Sequence, residues 1–330
     1  MKNWINRLLS GSEDGASASD TTAATAARDG AQEPGEQPSD LTTAIDSAYY
    51  RWLTASAAYN ASSDTENLII DQVRGLSGNL REAAGLVPRV PELIPQLLRS
   101  LGDEDVSAAE LSRQVAQDVV LVAEVIREAN SAYYRPMTPV KNVESAIMML
   151  GQNGLRTLLA RIAFRAVIKM QSEGFARRAA PQVWSQSEKC ALAASLMAPG
   201  LSAGVFESYL AGLMQNLGLI VAFRLADRVC QDGKVPGSSA FGIKLLACSR
   251  QLSAGIATHW DFPQEVADAV AQAGNAGASN LAQALAQGDR IAKLRLLIDG
   301  GVLAEDDELV TKGLNAFQRR CLGKLSGLES

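Results

Sequence analysis

Between Leu210 and Ile220 the chain reads L-A-G-L-M-Q-N-L-G-L-I, with Leu210, Leu213, Met214, Leu217 and Ile220 recurring at helical spacing. The pattern predicts a buried helix crossing the middle of a helical domain. Gln215 and Asn216 sit side by side within it. Two buried amides must find hydrogen-bond partners, and neighbouring backbone is the simplest choice.

Helical signals continue on both sides. From Asp40 to Ala84 two helices are predicted, joined near Asn60 to Asp64. The first puts Leu41, Ile45, Tyr49, Trp52 and Leu53 on one side; the second repeats Ile69, Val73, Leu76, Leu80 and Ala83 in alternating steps of four and three. Gly75 and Gly78 weaken the second by about 1 kcal/mol each relative to Ala, so it depends on a neighbour, which is the first helix, the main domain or a second chain. The main domain opens at Leu86, where Pro88, Pro91 and Pro95 bracket the entry. Ser107 and Glu110 form a capping box for a helix through Val115, and Asp118 caps the next one, which carries Leu121, Val122, Val125 and Ile126 to Asn130. Pro136 and Pro139 block its continuation, and Gly151 suits a left-handed stop after Ile147 to Leu150. Near the end, Ile291, Leu294, Leu296 and Leu297, then Leu309, Leu314, Phe317 and Leu322, mark two more helices, with Glu305 to Glu308 as a solvated helix start.

Residues 1–10 place Trp4, Ile5, Leu8 and Leu9 on one helical face. Residues 11–40 contain no aromatic residue and no Val, Ile, Leu or Met, and set seven acidic residues against the single Arg28, the composition of a disordered tether. A short apolar helix on such a leash reads as a docking segment, with Trp4, Ile5 and Leu8 as partner-binding candidates, or as a frayed end.

Several function classes drop out. A formal charge of -5 and a pI near 5.2 argue against non-specific nucleic-acid binding. No apolar run reaches the roughly 18 residues needed to span a bilayer, and the start lacks a signal-peptide core, so a cytoplasmic location is expected. Cys190, Cys230, Cys248 and Cys321 form no C-x-x-C pair, so neither a zinc site nor a redox dithiol is signalled. No P-loop and no G-x-G-x-x-G is present. His259 is the only histidine and, without partners, reads as a structural donor near a helix end.

The first half of the main domain carries V-P-x-x-P-x-x-x-x-x-L within Val87 to Leu98, a capped S-x-x-E-L at Ser107 to Leu111, A-N-S-A-Y-Y at Ala129 to Tyr134, and A-I-x-x-L-G ending at Gly151. This lobe resembles the HDOD family, the output-domain branch of the HD hydrolase superfamily. In the second half, W-S-Q-S at Trp184 to Ser187 is similar to the family's W-x-H-S, with Gln186 where the first histidine belongs. A-G-L-M-Q-N-L-G at Ala211 to Gly218 is similar to A-G-L-L-H-D-I-G, with Gln215 and Asn216 at the His-Asp doublet. Asp289 fits the final aspartate, and G-I-A-T-H-W-D-F-P at Gly255 to Pro263 resembles the family's helix end before Trp and Pro.

The resemblance covers about Leu86 to Asp289. It implies an all-α fold of two helical lobes, preceded here by the tether (1–40) and a helical extension (41–85), with the HDOD domain over 86–280 and further helices packed on it over 281–330. In an HD enzyme the doublet holds one or two divalent metals; neutral amides supply neither the charge nor the basicity for that. Of the four former ligand positions Gln186, Gln215, Asn216 and Asp289, only Asp289 keeps a metal-binding chemistry. The expectation is therefore a bacterial pseudo-enzyme with no catalytic residue, no metal and no cofactor, regulating signal transduction through a protein partner such as a sensor kinase or a cyclic-dinucleotide signalling component. Two alternatives stand beside it: a sensor that takes a nucleotide or cyclic dinucleotide in the former metal pocket, and a degenerate metal-dependent phosphohydrolase.

Overall fold

Among the described residues all regular structure is helical. The computed structural model describes residues 38–54, 61–87, 106–117, 119–131, 134, 136–169, 174–230 and 236–326. The docking face of Trp4, Ile5 and Leu8, the tether up to residue 37, the entry at Pro88, Pro91 and Pro95, the Asp118 cap and Tyr133 lie outside them.

Helix α1 (Pro38–Leu53) begins on proline, whose fixed φ and missing N–H suit a first helical position. It buries Ile45, Tyr49, Tyr50 and Leu53. Helix α2 (Ser63–Ser77) is capped by Ser62, whose Oγ accepts from Thr65 N–H at 3.2 Å, and buries Ile69, Ile70, Val73 and Leu76. The expected continuous helix through Ala83 breaks at Gly78. Asn79 restarts it as α3 (Leu80–Leu86), with Oδ1 accepting from Glu82 N–H at 3.4 Å and Nδ2 donating to the Glu82 carboxylate at 2.9 Å. The neighbour left open by the sequence is the main domain: α1, α2 and α3 all pack on helix α10 (Ser239–His259).

Helix α4 (Ala108–Val115) forms half of its expected box. Ser107 Oγ accepts from Glu110 N–H at 3.2 Å, while the Glu110 carboxylate pairs with Arg113 at 2.6 Å. Helix α5 (Val119–Ala129) ends at Asn130, whose Nδ2 donates to the carbonyls of Ile126 and Val140 and whose Oδ1 accepts from Val140 N–H, each at 2.8 Å. One amide thus closes the helix and ties back the proline-bounded loop. Helix α6 (Val143–Lys169) passes through Gly151 at φ 69° and ψ 177°, a conformation essentially restricted to glycine. The glycine redirects the helix, which restarts at once, rather than stopping it.

Helix α7 (Gly174–Met197) is the axis of the second lobe. Its start is capped from afar: Asp227 of α9 (Leu217–Val229) accepts from Phe175 N–H at 2.7 Å and Ala176 N–H at 3.0 Å, in space that a Cβ on Gly174 would fill. Around α7 lie α6, α8 (Val205–Met214), α9 and α12 (Asn280–Asp299). Trp184 is fully buried, whereas Trp260 is only partly buried and packs near Phe262. Helices α11 (Gln264–Gln272), α13 (Glu308–Thr311) and α14 (Ala316–Lys324) complete the fold. Asp307 of the acidic run caps α13, accepting from Leu309 N–H at 2.9 Å. Phe317 is exposed, with Arg320 over its ring. The C-terminal part thus holds three helices instead of two, and α12 lies against the length of α7.

The single helix expected over Leu210 to Ile220 is a pair of helices, broken at Gln215 and Asn216. Gly218 brings the break against α10, where a Cβ would collide with the Ser249 carbonyl oxygen. Ser253 Oγ accepts from Gly218 N–H at 2.8 Å and lies 2.7 Å from the Gln215 carbonyl, so one hydroxyl serves both loose backbone ends. The stretch Val205–Val229 is apolar enough for a membrane span by composition, but 94% of its apolar window is buried inside the protein.

Candidate functional site

The break between α8 and α9 turns Gln215 and Asn216 towards α7 and α12. Four positions singled out in the sequence come together there, with Gln186 at 0% exposure, Gln215 at 3%, Asn216 at 8% and Asp289 at 7%. Gln186 Nε2 donates to Asp289 Oδ1 at 2.5 Å, and Gln215 Nε2 donates to the same oxygen at 3.1 Å and to Cys190 Sγ at 2.9 Å. Asn216 Nδ2 donates to Gln186 Oε1 and, at 2.8 Å, to Ser187 Oγ. The amides therefore pair with one another and with the carboxylate, not with neighbouring backbone. Gln215 Oε1 and Tyr49 Oη are buried in this region without a hydrogen-bond partner.

Four groups in the centre carry no signal in the matched motifs: Lys293, Arg250, Asp46 and Tyr49. Lys293, one turn beyond Asp289 on α12, donates from Nζ to Asp289 Oδ2 at 2.7 Å and to Asp46 Oδ1 at 2.6 Å, with its ammonium 5.5 Å from the Tyr49 ring centre. Arg250 of α10 donates to Asp289 Oδ2 at 3.1 Å. Asp46 and Tyr49 belong to α1, which the sequence reading placed in the helical extension. Both carboxylate oxygens of Asp289 are therefore occupied, one by amide donors and the other by two cations.

Burial works to raise the Asp289 pKa, but Lys293 and Arg250, with hydrogen bonds from Lys293 and Gln215, outweigh it and hold the group below the ordinary carboxylate range. For Lys293 burial works downward, and the two aspartates leave its pKa raised. Burial pushes the Cys190 thiol well up, so it is no nucleophile as packed. Among the described residues none of the four cysteines is in a disulfide, and no three His, Cys, Asp or Glu side chains group to hold a metal. His259 is exposed at the end of α10, apart from this centre.

A second charged cluster joins the two lobes. Arg161 of α6 pairs with Glu128 of α5 and Glu188 of α7, and Arg165 pairs with Glu128. Each carboxylate there is matched by a guanidinium, which fits a fastening between lobes better than a reacting site.

The profile of the HDOD domain matches residues 87–276, more than half of the chain. In fold the chain is similar to an HDOD domain protein of unknown function from Geobacter sulfurreducens, with 20% identity and a TM-score of 0.56 over 78% of this chain and 94% of that one. It is also similar to a candidate metal-dependent phosphohydrolase from Shewanella amazonensis SB2B, with 19% identity and a TM-score of 0.54 over 79% and 99%. A candidate signal transduction protein from Marinobacter aquaeolei VT8 shows 20% identity and a TM-score of 0.55 over 82% and 65%. An uncharacterized protein of Treponema pallidum (strain Nichols) is 23% identical over 209 residues, 60% of this chain, and the chain spans only 40% of that relative's length. Asp46, Tyr49, Asp289 and Lys293 all fall outside the residues that the profile matches.

Proposed function

The chain belongs to the HDOD domain family, and from that membership we propose that it is a non-enzymatic regulator of signal transduction, acting through protein contacts of a domain whose metal ligands are gone. The observation that carries the reading is the saturation of Asp289. A divalent ion needs oxygen or nitrogen lone pairs turned towards it. Here Gln186 and Gln215 turn NH2 groups to the one oxygen, and Lys293 and Arg250 take the other. These residues do not fit a metal ion, and no hydrolytic step follows from them. The partner on this reading is a protein, a sensor kinase or a cyclic-dinucleotide signalling component, met through the HDOD surface or through Trp4, Ile5 and Leu8.

The Marinobacter protein's description as a candidate signal transduction protein points in the same direction. The enzyme alternative draws on the description of the Shewanella protein. The sensor alternative draws on Gln215 Oε1 and Tyr49 Oη, two buried polar atoms without a partner in one centre. Elemental analysis with native mass spectrometry of the purified full chain separates the three. The expected result is the mass of the chain alone, with no stoichiometric transition metal. One metal per chain overturns the reading in favour of a hydrolase, and one nucleotide per chain overturns it in favour of a sensor.

A further inference from the structure

Lys293 is 3% exposed, yet its ammonium meets a carboxylate on two sides, Asp46 and Asp289, and the face of Tyr49 on a third. Two carboxylate oxygens and an aromatic face are the surroundings that a small organic cation seeks when it leaves water. The groups come from two segments far apart in the chain, Asp46 and Tyr49 from α1 and Asp289 and Lys293 from α12. Beneath them lie Gln186 and Cys190, both at 0% exposure. Thr42 of α1 adds a further tie, its Oγ1 lying 3.2 Å from Arg290 Nη2.

We infer that this centre is a cation site whose cation is built into the chain: the Lys293 ammonium fills the place between Asp46 and Asp289, and through it α1 is clasped over the amide ring formed by Gln186, Gln215 and Asn216 around Asp289 and shuts that ring from solvent. The inference stands on the clasp alone and does not depend on the signalling reading. With α1 docked, Lys293 is buried and its ammonium is held between the two carboxylates. Freeing α1 withdraws Asp46 from the ammonium and leaves it to Asp289 and to the water that enters.

The test uses chemical rescue in the full chain. Lys293→Ala removes the side chain from Cγ to Nζ and leaves a hole between the buried Asp289 carboxylate and the partly buried Asp46, and its melting temperature should fall by about 10 °C. Methylammonium or ethylammonium chloride at tenfold its dissociation constant should then return about 3–5 °C beyond sodium chloride of equal strength. Wild type and Lys293→Met, whose side chains fill the hole, should gain nothing. Cys190 supplies a second reading in a Cys230→Ser/Cys248→Ser background: maleimide labelling, followed on the Cys190 peptide, should rise at least tenfold in Lys293→Ala and fall again with ethylammonium. Rescue absent from Lys293→Ala, or equal in Lys293→Met, overturns the inference. If Lys293→Ala does not fold, Asp46→Asn decides. It should lower the melting temperature of wild type but raise that of Lys293→Met, where the carboxylate has lost its cation, and the same sign in both backgrounds refutes the clasp.

Discussion

Asp289 shows how one residue sets a pH dependence. Its folded pKa lies below the ordinary carboxylate value because Lys293 and Arg250 overcome the effect of burial. A group with a depressed folded pKa contributes stability that is present above its unfolded pKa and is lost as pH falls through the folded one. Asp289→Asn, which leaves the buried Lys293 with Asp46 alone and Arg250 without a carboxylate, should therefore cost about 3 kcal/mol at pH 7, the low end for breaking a buried pair. The gap to wild type should hold down to roughly pH 4 and close only below it, as read by urea unfolding at a series of pH values; closure between pH 5 and 7 would contradict the assignment. The same geometry bears on restoring a metal. Gln186→His, Gln215→His and Asn216→Asp together supply two imidazoles and a second carboxylate around Asp289, but Lys293 and Arg250 still hold one of its oxygens. Calorimetry with manganese and nickel should find no binding by wild type, affinity of roughly micromolar order for the triple variant, and tighter binding once Lys293→Ala is added. Binding that survives Asp289→Ala would show the site to lie elsewhere. Gln186, Gln215, Asn216 and Asp289 were legible because each sits inside a recognisable local pattern. Lys293 was within reach, since it follows Asp289 at helical i,i+4 spacing. Asp46 was not, because 247 residues separate it from Lys293 and only the tertiary fold joins them.

At the scale of elements, apolar periodicity reported where helices run better than where they stop. Leu210 to Ile220 keeps its spacing across the break because both halves bury the same kind of face, and the break itself depends on α10, which no local signal contains. Ser253→Ala removes the acceptor for Gly218 N–H and the partner of the Gln215 carbonyl. It should cost about 1–3 kcal/mol and loosen the turn that aims both amides, seen as faster amide exchange at Gly218 than at Ile220. An unchanged exchange rate at Gly218 would remove Ser253 from this role. Gly78 and Gly151 were legible as special positions, yet their consequences differed: Gly78 ends α2, with Asn79 starting α3, whereas Gly151 bends α6 without ending it. Whether a helix resumes after a glycine depends on what the next turn buries, and Leu155, Leu158 and Leu159 beyond Gly151 are all core residues. The α6 that results carries Arg161 to Glu128 and Glu188. Arg161→Met should cost about 3–5 kcal/mol by leaving Glu188 without its cation, and Glu188→Gln added to it should recover part of the loss in denaturant melts; no recovery would mean that the pair is not what joins the lobes.

The whole molecule divides differently from the sequence patterns. Composition separates residues 1–40 from the rest, and the HDOD profile begins at residue 87, so α1 to α3 read as an appendage. In the structure they belong to the core. Ile45, Tyr49, Tyr50 and Leu53 are buried, Tyr50 Oη donates to the Pro236 carbonyl at 2.8 Å, and the Tyr50 ring rests where a side chain on Gly242 would otherwise stand. At about 1.5–3 kcal/mol for each buried side chain, these four account for roughly 6–12 kcal/mol. That is comparable to the entire stability of a typical domain, about 5–15 kcal/mol. Two truncations should therefore behave very differently. Residues 11–37 hold no aromatic residue and no Val, Ile, Leu or Met to bury, so on removal of residues 1–37 the melting temperature should stay within about 1–2 °C of the full chain, the shift of a change under 1 kcal/mol. Removing residues 1–60 strips α1 as well, uncovering the amide ring and leaving Lys293 without Asp46, and that protein should be unfolded or aggregated at 37 °C. Circular dichroism melts of both decide it. A chain lacking residues 1–60 that melts like the full one would mean that α1 merely rests on the second lobe and is not part of what holds it folded.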